Sequence, residues 1–276
     1  MIIDPEKIAG VIAEIAEEEI ASRFGKLASG DIDTKSGPND FVTQADLQAE
    51  RQLKSALSGF YPAATFIGEE TAVADPTLVP RLEDEDGAFW IVDPLDGTRN
   101  FIQGREEFGT IVALVVKGEI RGGWIYAIPD KAFAIAEKGE GVTWRGERLG
   151  QIGSAMKPLK GYRAIGNMAE PWKTHLIPRL KETYTTEPVH CSAYGYINLV
   201  RGLRDFALYS RVHPWDHAAG VLMLWEIGGR AEYLDNKTIY TPHATQGRPL
   251  LASGSAENWE KVCVTLTAHD SAGSQQ

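Results

Sequence analysis

Six consecutive residues, Asp93-Pro94-Leu95-Asp96-Gly97-Thr98, combine metal-binding and phosphate-binding chemistry in one short stretch. They follow the apolar run Trp90-Ile91-Val92 and lead into Arg99-Asn100-Phe101. A buried strand ending at Asp93 delivers that carboxylate to its tip. Pro94, which has no N–H, then stops the ladder and turns Asp96 back beside it. Two carboxylates held together repel each other unless something neutralises them. A divalent cation with oxygen ligands does so, and Mg²⁺ suits carboxylates combined with waters and a substrate phosphate. Gly97 permits close approach of the backbone to a ligand, and consecutive N–H groups there can cradle phosphate oxygens. The Thr98 hydroxyl can orient a water.

Taken alone, Asp-Gly is an ordinary turn former after a core strand. The longer pattern Asp-Pro-x-Asp-Gly-Thr is more specific: with each residue at roughly 5%, it arises by chance in about one of ten thousand chains of this length. Two further segments have the same character. Gly68-Glu69-Glu70 follows a short strand, although a lone acidic loop of this kind is more often simply solvated. Pro214-Trp215-Asp216-His217-Ala218-Ala219-Gly220 opens a helix, where an acid in the first turn is favoured by the macrodipole without any catalysis. The three segments together shift the balance toward a metal–phosphate site.

The elements that must position these residues can be read from periodicity. Asp4 and Pro5 start a first helix with Ile8, Val11, Ile12, Ile15 and Phe24 along one face. A second helix begins near Thr43, with Leu53, Leu57 and Phe60 in its stripe. Strands are expected at 65–67, 88–92, 108–117, 120–127 and 132–136, the longest pair joined at Gly118-Glu119. This half reads as two helices on an antiparallel-rich sheet. Strands at 162–165 and 206–209 then alternate with helices at 172–182, 194–201 and 215–227, which indicates a second layered α/β unit. The expected organisation is two abutting α/β sub-domains, residues 1–145 with most of the acidic cluster and 146–270 with Asp216, followed by a loose polar tail at 271–276.

The bulk properties exclude several classes. Of 276 residues, 43% are apolar and 24% charged, as in soluble globular proteins. A net charge of -10 argues against nucleic acid or an anionic membrane as partner. The two cysteines, Cys191 and Cys263, form neither a disulfide framework nor a CxxC zinc pair, and a cytoplasmic location is expected. The start MIIDPEKIAG does not read as a leader peptide, and no apolar run approaches the roughly 20 residues of a membrane span. The histidines lack HExxH spacing, and no GxGxxG follows a strand. Cys191 reads as a core thiol, and Trp90, Trp215 and Trp225 as packing residues.

The three motifs, Gly68-Glu69-Glu70, Asp93 to Thr98 and Trp215 to Gly220, resemble in order and spacing those of the inositol monophosphatase family. The resemblance runs from the first helix to about residue 260. It implies a five-layered αβαβα sandwich, commonly a homodimer. It also implies lithium-sensitive, Mg²⁺-dependent hydrolysis of a small phosphorylated metabolite, with two or three ions per site. Carried over by motif position, Glu69, Asp93, Asp96, Asp216 and the Leu95 carbonyl become metal ligands, and Glu69 is also counted as catalytic. Thr98 and Asp46 become a dyad that activates the attacking water, and the Gly97 and Thr98 amides hold phosphate. Lys35 matches a basic residue ahead of the helix that bears Asp46.

Asp46 has a rival reading, because Thr43-Gln44-Ala45-Asp46 also fits a capping box. The inositol-specific members carry a substrate-binding glutamate shortly before Trp-Asp. Here Tyr209 or Ser210 stands at that place, with Arg211 adding a positive charge. The expectation is therefore a substrate other than myo-inositol 1-phosphate: a sugar bisphosphate, a nucleotide phosphate or histidinol phosphate. The competing class is a non-catalytic binding or regulatory protein on the same scaffold, which loss of a ligand carboxylate would signal; all four are present.

Overall fold

The first apolar stripe forms α1 (Pro5–Glu19), and Asp4 caps it by accepting from the Glu6 and Lys7 amides. This computed structural model describes residues 4–27, 30, 32–34, 41–154, 158–166, 168–242 and 245–268. Lys35 and the 271–276 tail lie outside them. A short antiparallel pair, β1 (Ile32–Thr34) and β2 (Phe41–Thr43), leads into α2 (Gln44–Phe60), capped by Thr43.

The large sheet has seven strands in chain order: β3 (Thr65–Gly68), β4 (Ala88–Asp96), β5 (Gly109–Val116), β6 (Glu119–Ala127), β7 (Ala132–Glu137), β8 (Gly141–Trp144) and β9 (Glu147–Arg148). Only β3 and β4 run parallel; the rest is an antiparallel meander. The crossover between β3 and β4 contains the short helix α3 (Glu69–Ala74), and α4 (Thr98–Ile102) follows β4.

The small sheet comprises β10 (Lys160–Ala164), β11 (Thr185–Pro188), β12 (Phe206–Val212), β13 (Arg230–Tyr233) and β14 (Thr245–Ser253), in the order β11-β10-β12-β14-β13. Its helices are α5 (Trp172–Thr183), α6 (Ser192–Val200), α7 (Pro214–Glu226) and α8 (Ala256–Thr267).

Three apolar clusters define five layers. Ile8, Ile12, Leu53 and Leu57 of α1 and α2 pack on Trp90, Val92 and Trp124 of the large sheet. The opposite face, with Phe89, Ile91 and Ile125, meets Tyr196 and Ile197 of α6 and Ala218, Leu222 and Met223 of α7; these in turn meet Ala207, Tyr209 and Leu250 of the small sheet. Leu176, Leu180, Trp259 and Val262 of α5 and α8 cover the outer face at Phe206, Leu208 and Leu251. The order is helices, sheet, helices, sheet, helices: the αβαβα sandwich implied by the resemblance. No helix among the described residues is long and apolar enough to cross a membrane.

One sequence expectation fails instructively. The strand does not end at Asp93; β4 continues through Pro94 to Asp96, which pairs with Gly109 after a register shift between Asp93 and Asp96. A bulge accommodates a residue that cannot donate to the ladder. The Pro94 carbonyl still accepts from Thr110 Oγ1 at 2.8 Å. The strands β1, β2, β8, β9, β11, β13 and β14 and the helices α3, α4 and α8 escape the sequence reading. Thr185-Thr186-Glu187-Pro188 and Thr245 to Ser253 show no period-two apolar signal.

Candidate active site

Each site residue sits at the end of an element. Because β3 and β4 are parallel, Gly68 and Asp93 reach the same edge of the large sheet. Side chains alternate along β4: Phe89 and Ile91 face α7, so Asp93 faces α7 as well. Asp216 stands in the first turn of that helix. One carboxylate oxygen each from Asp93, Asp96 and Asp216 lies within 4.8 Å of the others. They line an open cleft of about 600 Å³ with Glu69, Leu95, Gly97, Thr98, Arg99, His190, Arg211, His213, Trp215 and Phe41.

The acids are held by specific donors. Asp93 Oδ1 accepts from the Leu95 amide at 3.1 Å. Asp96 Oδ2 accepts from the Ala193 amide at 2.6 Å and from the Cys191 thiol at 2.8 Å, so the start of α6 grips one oxygen of this carboxylate. Burial pushes the Asp96 carboxyl upward, opposed by these donors and reinforced by the nearby Glu69 charge. Burial also drives Asp216 well above the usual carboxylate range, with Glu69 and Asp96 adding to the shift; Arg211 and a hydrogen bond with Asp93 oppose it. Buried carboxylates that repel one another into taking up protons are the donor set that a hard divalent cation relieves. The residues therefore fit a metal centre.

Glu69 depends on a residue the sequence reading missed. Glu50, one helical turn after Asp46 on α2, accepts from the Glu70 and Thr71 amides at 2.8 Å each and from the Thr71 hydroxyl. It caps α3, whose own N-cap residue, Gly68, has no side chain to do so. A Cβ on Gly68 would stand 2.3 Å from the Glu50 carboxylate, so the glycine of Gly-Glu-Glu makes room for the cap. The available signal was a glutamate three and seven residues before Leu53 and Leu57, on the apolar face of the helix.

Gly97 adopts φ +87°, and a Cβ there would meet the Glu107 carbonyl at 2.8 Å. The left-handed turn ends the bulged strand and starts α4 at Thr98. Thr98 Oγ1 lies 2.9 Å from the Leu95 carbonyl and 3.2 Å from Asp46 Oδ1. Asp46 Oδ2 accepts from the Thr43 amide at 2.9 Å and hydroxyl at 2.6 Å. Capping box and dyad geometry coexist, one carboxylate oxygen for each.

A profile of the inositol monophosphatase family matches residues 6–271. The chain belongs to that family. It is accordingly a phosphatase of the inositol monophosphatase type. An inositol-1-monophosphatase of Caulobacter vibrioides is 30% identical over 250 residues, 87% of this chain and 93% of that protein. A fructose-1,6-bisphosphatase/inositol-1-monophosphatase of Thermotoga maritima is 28% identical over 72% of this chain and 73% of its own. Among solved structures, a Staphylococcal inositol monophosphatase-1 superposes with a TM-score of 0.80 at 21% identity, covering 98% of both chains.

The structure thus brings Glu69, Asp93, Leu95, Asp96, Gly97, Thr98, Arg211 and Asp216 to one cleft and sets Asp46 behind Thr98. It does not bring Tyr209 there. Tyr209 is buried, stacked on Tyr196 and edge-on to His217 at 4.7 Å. Ser210 is buried too, donating to the Ala164 carbonyl at 3.1 Å. Neither stands among the cleft-lining residues. The difference is one of depth along β12: Tyr209 packs in the middle-layer core against Tyr196, and Arg211, two residues nearer the end of the strand, is exposed on the cleft. His217 is a core histidine, as its lack of ligand spacing indicates. Its Nε2 contacts the Arg211 carbonyl at 3.0 Å and its Nδ1 the Tyr196 hydroxyl at 2.8 Å.

Proposed function

We propose that the cleft hydrolyses a small phosphate monoester with Mg²⁺. The observation that carries this reading is the convergence of Asp93, Asp96 and Asp216 beside the Thr98–Asp46 pair. Glu69, the three aspartates and the Leu95 carbonyl would hold the ions. Bound there, Mg²⁺ would lower the pKa of a water and neutralise charge on the phosphate.

The remaining work falls to the chain. The amides of Gly97 and Thr98, at the turn into α4, are placed to hold a phosphate oxygen. The Thr98 hydroxyl has one proton, which it gives to Asp46 or to the Leu95 carbonyl. While it points at Asp46, its oxygen accepts a hydrogen bond from the attacking water, and Asp46 is the eventual proton acceptor. Attack is direct and in line with the leaving alkoxide. Cys191 is no nucleophile: burial raises its thiol well above the usual value, and its proton is directed to Asp96. An intact carboxylate set together with a positioned base favours catalysis over a purely binding role.

Phosphate release from a panel of monoesters is expected to require Mg²⁺ and to stop in excess chelator. Asp93→Asn is expected to lower kcat by at least about a hundredfold. Undiminished turnover in chelator, or by the substituted protein, overturns the reading.

A further inference from the structure

All four carboxylates lining the cleft, Glu69, Asp93, Asp96 and Asp216, belong to the acidic cluster. Among the described lining residues no further carboxylate remains to accept hydrogen bonds from a polyol. The same cleft also presents Arg211, His190 and His213 beside Trp215, with Arg99 at the start of α4. Those groups suit an anion better than a ring of hydroxyls.

Arg211 is held in place. Its Nε donates to His213 Nε2 at 2.7 Å, and the His213 ring lies flat on Trp215 with centroids 4.7 Å apart and planes 8° from parallel. Accepting at Nε2 makes His213 a neutral imidazole with its proton on Nδ1. The residue therefore orients the guanidinium without competing with it for a negative ligand. Behind the strand, His217 fixes the Arg211 carbonyl. Backbone and side chain are both anchored, and the two Nη groups, which make no hydrogen bond among the described residues, form the fork that matches an oxyanion in bidentate fashion. Preorganisation of this kind reduces the ordering cost of binding. A guanidinium that merely balanced the aspartates would need neither the ring stack nor its place on the exposed lip of the cleft.

Building on the phosphatase reading, we propose that Arg211, oriented by His213, forms a second-anion subsite. The preferred substrate is then a phosphate ester that carries another phosphate or a carboxylate away from the scissile group. Arg211 is a specificity residue here and His213 a positioning residue.

Matched esters test this: glucose 1-phosphate against glucose 1,6-bisphosphate, and β-glycerol phosphate against 2-phosphoglycerate. The first pair probes a second phosphate and the second a carboxylate. For the wild-type protein, kcat/KM should favour the doubly anionic member of at least one pair by about tenfold or more. Arg211→Gln should collapse that ratio, losing far more on the doubly anionic ester than on its partner, and Arg211→Lys should keep part of it. Equal rates within both pairs, or an equal loss on both members in Arg211→Gln, overturns the subsite. Binding of the same esters is measured by calorimetry with Ca²⁺ in place of Mg²⁺. If no ester is hydrolysed, the phosphatase reading fails, and the Kd ratios with their response to Arg211→Gln decide the subsite by the same criteria.

Discussion

On one wall of the cleft, Asp93, Leu95, Asp96, Gly97 and Thr98 come from a single strand and the turn that follows it. On the other, His190, Arg211, His213 and Trp215 come from the segment before α6, the end of β12 and the start of α7. The acidic wall is held mainly by backbone amides: Leu95 on Asp93, Ala193 on Asp96, Glu70 and Thr71 on the Glu50 that supports Glu69. The basic wall is held by rings, with Tyr196, Tyr209 and His217 behind Arg211 and His213 on Trp215 in front. Asp93 to Thr98 are adjacent in the chain, so the residue types of that wall are local, although the amide that grips Asp96 is 97 residues away. The residues of the basic wall come from three separate segments, and that wall exists only once those segments are packed together.

This contrast can be tested. The largest effect is expected within the acidic wall. Thr98→Ala and Asp46→Asn should each lower kcat by about a hundredfold, since each interrupts the same proton path. The double substitution should be only a few-fold worse than either alone, because residues acting as a unit are not additive. The asparagine oxygen can still accept from the Thr43 amide, so the capping box of α2 is preserved. Fully multiplicative losses would show that Thr98 and Asp46 act separately.

The next effect concerns the basic wall. Burial lowers the His217 pKa from 6.5 to about 4. The unfolded chain therefore binds a proton between those values that the folded chain refuses, and stability falls as pH drops from neutrality through this window. The loss between pH 7.5 and 4.5 is expected to be about 2 kcal/mol. Denaturant titrations of wild type and His217→Gln at the two pH values measure it; Gln lacks the titration, so its stability should fall less. Identical pH dependence would mean that His217 is not what makes this wall acid-sensitive.

The smallest effect tests the thiol that donates to Asp96. Removing the thiol in Cys191→Ala should raise the Mg²⁺ concentration for half-maximal activity by about tenfold, as loss of an outer partner of a metal ligand commonly does. Cys191→Ser, which keeps a donor, should recover most of the affinity. If the alanine and serine forms behave alike, the Ala193 amide alone positions Asp96, and the acidic wall is held by backbone at that residue too.

The acidic wall was largely legible because its residues are adjacent in the chain and their types are constrained by chemistry. Asp93, Asp96, Gly97 and Thr98 are recognisable in a single line of sequence. Even there, the path through Pro94 was misjudged: a proline forbids a ladder hydrogen bond but not a bulge, and whether the strand resumes depends on Gly109 and Thr110 across the sheet. Cys191 looked inert because its partner, Asp96, is 95 residues away.

For the basic wall, motif position could bring Tyr209, Ser210 and Arg211 to the right neighbourhood but could not say which of them faces the cleft. Alternation with period two puts Tyr209 and Arg211 on the same face of β12, so depth along the strand decides between them: Tyr209 packs on Tyr196 and Arg211 is exposed. The irregularity beside it lies in β14, a strand without a clear apolar pattern, which advances from Gln246 to Leu250 while β12 advances only from Tyr209 to Arg211. Local chemistry therefore identified the acidic motifs, the first helices and the family, since each rests on residue types at short spacing. Which side chains of β12 face the cleft was settled by tertiary contacts, because the packing of the layers around the strand decides which of its residues are covered and which are left exposed.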